Sequence, residues 1–187
     1  MAQLFEMNRY VIRTKFWRIF GGVFYFEDIE GTLVAYSKQK RFKLREDIIL
    51  FTDESCTTPL VQIKARSMLD LATTYDIIDA QTGISLGTAK RNFMKSLLKD
   101  SWTINDASGN PYAQLIEDSI AILRRFIPLI PAKYHFEIPG QPEILMQQRF
   151  NPFVKRTDVM IPPGHPIDRR VVAAVALLNS AIEGRQG

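Results

Sequence analysis

The chain has 187 residues, 46% apolar and 24% charged, with a formal net charge of +4. This balance fits one domain, residues 1–187, with a core of its own, and excludes disorder, which needs fewer apolar residues and more net charge. Cys56 is the only cysteine, which excludes an intrachain disulfide and a thiolate metal cluster and fits a reducing, cytoplasmic setting. Met1–Arg9 lacks a basic stretch followed by an apolar core, so no secretory signal is expected. The longest apolar run, Val171–Leu178, falls well short of the roughly 20 residues of a membrane span.

In chain order, Tyr10-Val-Ile12 reads as a shortened first copy of a pattern that then recurs. The full copies are Phe24-Tyr-Phe26-Glu-Asp28, Ile49-Leu-Phe51-Thr-Asp53, Tyr75-Asp-Ile77-Ile-Asp79, Trp102-Thr-Ile104-Asn-Asp106 and Tyr134-His-Phe136-Glu-Ile138. Each has two large apolar residues separated by one position, and all but the last end on Asp. Turn chemistry follows, as in Asp28-Ile-Glu-Gly31, Asp79-Ala-Gln-Thr-Gly83 and Asp106-Ala-Ser-Gly109: Asp bonds its own backbone two residues on, and Gly supplies positive φ. Alternating runs come next, with Leu33, Ala35 and Ser37 on one face, then Val61, Ile63 and Ala65, then Ile144 and Met146. The unit is a β-hairpin of about 25 residues, and its repetition predicts roughly ten to twelve antiparallel strands. So many strands escape exposed edges by closing into a barrel or folding into a sandwich. Asn92–Lys99 reads as a short helix or a bent strand, and Ile120–Ile130 as a strand and loop.

The last segment does not alternate. Asp168 suits an N-cap and Gly184 a C-terminal stop, with a helix of about 15 residues between them. Its apolar residues cover every side, so it is expected to be buried on every side. In a chain of hairpins the surrounding element is a barrel, and Ala173, Ala174, Ala176 and Ala181 keep the helix thin enough to be enclosed. The expected fold class is mostly β: a closed antiparallel barrel of about twelve strands around a buried apolar C-terminal helix.

Arg9-Tyr-Val-Ile-Arg13 with Phe16-Trp17, the turns ending at Gly31, Gly83 and Gly109, and the helix after Asp168 occur in an order that resembles the Tubby C-terminal-like superfamily. The nearest branch looks like the LURP-one-related proteins, with the phospholipid scramblases as relatives, and the likeness runs from Tyr10 to Ile182. It implies a twelve-stranded barrel threaded by the C-terminal helix. Tubby domains bind phosphoinositides, scramblases are linked to lipid movement, and many LURP-one-related proteins have no assigned biochemistry. The chain departs from scramblases before the final helix: Val159–Pro166 carries no acidic calcium segment, and only Asp158 and Asp168 flank it, too few oxygens for calcium. The cysteine- and proline-rich scramblase leader is also missing, and no Tubby lipid contact maps onto a single residue here.

No catalytic motif or cofactor signature is visible. His135 and His165 lack acidic or thiol neighbours at metal-ligand spacing and read as satisfied surface histidines. Gly21-Gly22 reads as a turn rather than part of a phosphate loop, and the hairpin aspartates are accounted for by turn-making. Charge remains. Lys38, Lys40, Arg41, Lys43 and Arg45 would project from a hairpin as a basic ridge, and Lys90, Arg91, Lys95 and Lys99 form a second cluster. Each basic residue near an acidic bilayer contributes about 1 kcal/mol, so the ridge suits an anionic phospholipid surface. The clusters lack a base-stacking aromatic array, which ranks nucleic acid lower. The sequence-based expectation is a non-enzymatic module, cytoplasmic and peripheral at the membrane. The alternatives are a structural or protein-interaction domain with a protein partner, and a carrier of apolar ligands, which a filled interior would disfavour.

Overall fold

The computed structural model describes residues 2–17, 21–39, 48–66, 74–92, 101–118, 131–149 and 154–183. A 3-10 turn, Gln3–Glu6, leads into β1 (Arg9–Trp17), β2 (Gly21–Glu27), β3 (Leu33–Gln39), β4 (Ile48–Phe51), β5 (Pro59–Ala65) and β6 (Thr74–Asp79). Then come β7 (Ser85–Arg91), β8 (Ser101–Asn105), β9 (Pro111–Glu117), β10 (Lys133–Glu137), β11 (Ile144–Arg149), β12 (Lys155–Met160) and the helix α1 (Arg169–Glu183). Every strand pairs antiparallel with its sequence neighbour, and β12 returns to pair with β1, closing the barrel. Closure removes the edges that so many strands would otherwise expose.

The repeated motif maps onto the even-numbered strands. Phe24 and Phe26, Tyr75 and Ile77, Trp102 and Ile104, and Tyr134 and Phe136 all point inward and are buried. In the first three of these pairs the register slips directly after the second residue, at Phe26/Glu27, Ile77/Ile78 and Ile104/Asn105. A bulge there bends the strand into its turn. The second copy differs from expectation. Its inward pair is Ile48 and Leu50, with the slip at Leu50/Phe51, while Ile49 and Phe51 are half-buried. One extra residue lies between that bulge and Asp53, so matching the copies on Asp shifts this one by a position, and a one-residue shift exchanges the two faces.

Gly87 faces the β6 bulge as the partner of Ile77, with φ +132. A Cβ there would stand 2.2 Å from the carbonyl oxygen of Asn105, so β7 and β8 approach through the space a side chain would occupy. Gly21-Gly22 opens β2, paired with Trp17 and Phe16, instead of forming the expected turn. Residues 93–99 of the Asn92–Lys99 stretch, and Ile120–Ile130, lie outside the described residues.

α1 starts as the sequence implies. The Asp168 carboxylate accepts the Arg170 amide at 2.9 Å, and its carbonyl accepts the Val171 amide at 3.0 Å. Every residue from Val171 to Ile182 is buried, as expected of a helix inside a barrel. Each enclosed Val, Leu or Ile contributes about 2 kcal/mol by leaving water. Among the described residues no helix is long and apolar enough to cross a membrane.

Candidate functional site

Because successive strands alternate in direction, the barrel has two unlike ends. The even strands run into the short turns 28–32, 52–58, 80–84, 106–110 and 138–143, and β12 runs to the start of α1 at this same hairpin end. The odd strands run to the far end, toward which α1 points.

The hairpin end is acidic. Its turns carry Asp28, Glu30, Asp53, Glu54, Asp106 and Glu143, and no lysine or arginine. The aspartates are used in the backbone. Asp28 accepts the amides of Thr32 at 2.8 Å and Glu30 at 3.0 Å; Asp106 accepts those of Asn110 and Ser108, each at 2.9 Å. The Thr32 amide beside Asp28, the Asn110 amide beside Asp106 and the Ser55 hydroxyl beside Asp53 hold these carboxyls below the usual carboxylate range. Their charge persists at neutral pH, fixed at this end.

Basic residues crowd the far end. Lys15, Lys38, Lys64, Lys90, Lys133 and Arg156 are exposed near the far-end termini of β1, β3, β5, β7, β10 and β12. Among the described residues none of these six has a carboxylate partner; Lys15 lies 5.4 Å from the Tyr25 ring centroid. Of the first predicted cluster, Lys38 projects outward, whereas Lys40, Arg41, Lys43 and Arg45 lie outside the described residues. In the second, Lys90 is exposed, but Arg91 pairs with Trp102 on the inward face and is half-buried; Lys95 and Lys99 lie outside the described residues. Adjacent strand residues alternate faces, so Lys90 and Arg91 do not form one outward patch. The β3–β4 and β7–β8 strand ends that bracket the two clusters nevertheless share this end of the barrel.

Register also assembles a row invisible in the linear chain. On the outer wall Arg156 is the direct cross-strand partner of both Arg13 and Arg149. Arg13 grips Glu27 through two nitrogens, each at 2.6 Å, and lies 4.0 Å from the Tyr25 ring centroid. Arg149 pairs with Asp158, which it shares with Arg9, and this pairing holds the Asp158 carboxyl below its ordinary range. Arg156 stands between two like charges, an unfavourable cross-strand arrangement.

Elsewhere the polar groups are structural. Trp102 donates its indole N–H to Asn179 Oδ1 at 3.2 Å, inside the barrel. Glu183, at the end of α1, is held by Lys155 and the Tyr134 hydroxyl, and Arg170 joins Asp168 to Asp79 at the other end. His135 projects outward as expected but meets Asp118 at 2.8 Å, a contact made only because β9 and β10 are adjacent. His165 is buried rather than exposed: its Nδ1 accepts the Ile167 amide at 3.2 Å, and burial lowers its pKa. Among the described residues no three His, Cys, Asp or Glu side chains gather in a way that could hold a metal ion.

No protein-family model, curated protein or solved structure matches this chain.

Proposed function

We propose that this barrel is a non-enzymatic module that docks on anionic membrane lipid. The observation that carries this reading is the separation of charge along the barrel, with turn-fixed carboxylates at one end and, at the other, six exposed cations that have no carboxylate partner among the described residues. Turn chemistry accounts for the aspartates. It leaves Lys38, Lys90 and their like without a structural role, and cations in that position suit an acidic surface. The resemblance to the Tubby C-terminal-like superfamily supports the same reading, and the basic run Lys38, Lys40, Arg41, Lys43 and Arg45 adjoins this end in sequence. Docking of this kind is electrostatic and weakens as salt screens the charges.

The test is sedimentation of the purified protein with neutral and with anionic vesicles, at low and high salt. Binding to the anionic vesicles alone, reversed by salt, is the expected outcome. Charge reversal at Lys40, Arg41 and Lys43 abolishes that binding while the circular dichroism spectrum stays unchanged. Failure to bind anionic vesicles at low salt sinks the proposal and leaves a protein partner as the reading to pursue.

A further inference from the structure

We infer that the outer wall of the barrel holds a receptor site for one phosphate monoester, built by Arg13, Arg156 and Arg149. Register carries the inference. Arg156 on β12 is the direct cross-strand partner of Arg13 on β1 and of Arg149 on β11. Such neighbours lie about 5 Å apart at Cα, so long side chains from the three strands reach a common point above the middle one. With Arg9, four arginines share this wall with the carboxylates of Glu27 and Asp158, which leaves two positive charges in excess among the described residues. The connecting residues 18–20 and 150–153, which adjoin these strands in sequence, contain no Asp or Glu. Like charges directly opposite one another destabilise a sheet, and a neutral residue at position 156 would avoid the conflict. A bound anion turns the same three arginines into a set of contacts.

The flanking arginines are already set. Arg13 is held by Glu27 through Nε and one terminal nitrogen, each at 2.6 Å, and its guanidinium lies 4.0 Å from the Tyr25 ring centroid. Asp158 holds Arg149 in the same two-point fashion. Glu27 and Asp158 are themselves buried. Among the described residues the second terminal nitrogen of Arg13 and of Arg149 has no partner, and the exposed Arg156 guanidinium has none at all. A guanidinium gripped along one edge and open along the other is in place before a ligand arrives. A carboxylate or a phosphate diester would offer these arginines two terminal oxygens and one charge. A phosphate monoester offers three terminal oxygens and close to two charges at neutral pH, which matches three guanidiniums and the excess they carry. This goes beyond the membrane reading, because a monoester is carried by some lipid headgroups and by many soluble compounds alike.

Calorimetric titration of the full chain with glycerol 3-phosphate, dimethyl phosphate and acetate tests the site, in about 0.1 M salt, where the Debye length is about 10 Å. Glycerol 3-phosphate is expected to bind about tenfold more tightly than the other two. Arg156→Gln removes an exposed side chain from between two like charges, so its urea midpoint stays at or above that of the parent. Its affinity for glycerol 3-phosphate falls about tenfold, the worth of one charge-assisted contact. Lys64→Gln removes the same charge from β5, five strands round the barrel from β12, and leaves the affinity unchanged. Equal binding of the three anions, an equal loss in the two variants, or no binding of glycerol 3-phosphate overturns the site. Vesicle sedimentation then separates the sources. Tighter binding to phosphatidylcholine vesicles containing phosphatidic acid than to those containing phosphatidylserine, lost in Arg156→Gln, supports the site with a lipid monoester as its ligand. Binding of glycerol 3-phosphate without that preference supports it with a soluble one. Binding to phosphatidylserine vesicles with no response to glycerol 3-phosphate overturns the site and leaves the membrane reading standing. Binding of glycerol 3-phosphate with no binding to either anionic vesicle supports the site and overturns the membrane reading.

Discussion

The hydrogen bond between Trp102 and Asn179 ties the central helix to the barrel wall, and its worth can be isolated. Both residues are almost inaccessible, Trp102 at 0% and Asn179 at 2% exposure. Asn179→Leu keeps the branched shape but leaves the indole N–H with no acceptor, at a cost of about 2 kcal/mol. Trp102→Phe leaves the Asn179 carbonyl unpaired and opens a small cavity, together about 3 kcal/mol. Were the two effects independent, the double variant would lose about 5 kcal/mol. It removes both polar atoms at once, though, so only the packing loss and a small remainder persist, about 2 kcal/mol. At about 3 °C per kcal/mol for a chain of this size, the single variants melt roughly 6 to 9 °C early and the double variant about 6 °C early. Urea unfolding followed by far-ultraviolet circular dichroism measures all four proteins. A double variant whose loss equals the sum of the singles to within about 0.5 kcal/mol refutes the pairing.

Other perturbations follow from single contacts. Gly87→Ala combines a φ of +132 with a Cβ 2.2 Å from a backbone oxygen, and thermal unfolding should show a loss of about 4 kcal/mol. Tyr10 is buried and its hydroxyl has no partner among the described residues, so Tyr10→Phe should raise stability by about 1 kcal/mol in urea; a loss of that size would mean the hydroxyl has a partner. His165 has a folded pKa below its ordinary value because burial favours the neutral ring, so its contribution is complete above about pH 6.5 and is lost as pH falls through the folded pKa. His165→Asn should therefore flatten the fall in urea midpoint below about pH 6.5, and an unchanged slope would refute the assignment. Arg156→Glu places a carboxylate between Arg13 and Arg149, which should stabilise the barrel by about 0.5 kcal/mol while weakening binding to anionic vesicles; a destabilised variant would contradict the cross-strand reading.

The sequence carries the fold because the fold is built from local signals repeated. Alternation marks the strands, Asp and Gly mark the turns, and an unbroken apolar segment that cannot alternate marks the helix. The outcome that Val171 to Ile182 is wholly buried needed only a helical wheel and the number of strands around it. A local signal misleads where it has two meanings. Gly21-Gly22 reads as a turn because glycine permits one, yet it pairs with Trp17 and Phe16 as the start of a strand. Matching the second copy on Asp53 put Ile49 and Phe51 in the core, and the one-residue offset that places Ile48 and Leu50 there is set by the bulge at Leu50/Phe51. His165 looks like a turn residue in Gly164-His165-Pro166, and only the packing around the start of α1 shows it buried.

Linear clustering groups Lys90 with Arg91, but the pleat sends them to opposite faces. Conversely, Arg13, Arg149 and Arg156 have nothing in common along the chain, and the closing pairs β1–β12 and β11–β12 set them side by side. The polarity of the barrel is legible once the hairpin count is known, because an up-and-down barrel assigns every second connection to the same end. The acidic turns Asp28–Gly31, Asp53–Thr58 and Asp106–Asn110 alternate in sequence with the basic stretches around Lys38 and Lys90, and that alternation is itself the charge separation written along one dimension. Turn-making explains the acids at their end. At the other end Lys155 holds Glu183 and Arg149 holds Asp158, whereas Lys15, Lys38, Lys64, Lys90, Lys133 and Arg156 have, among the described residues, no carboxylate partner to account for them.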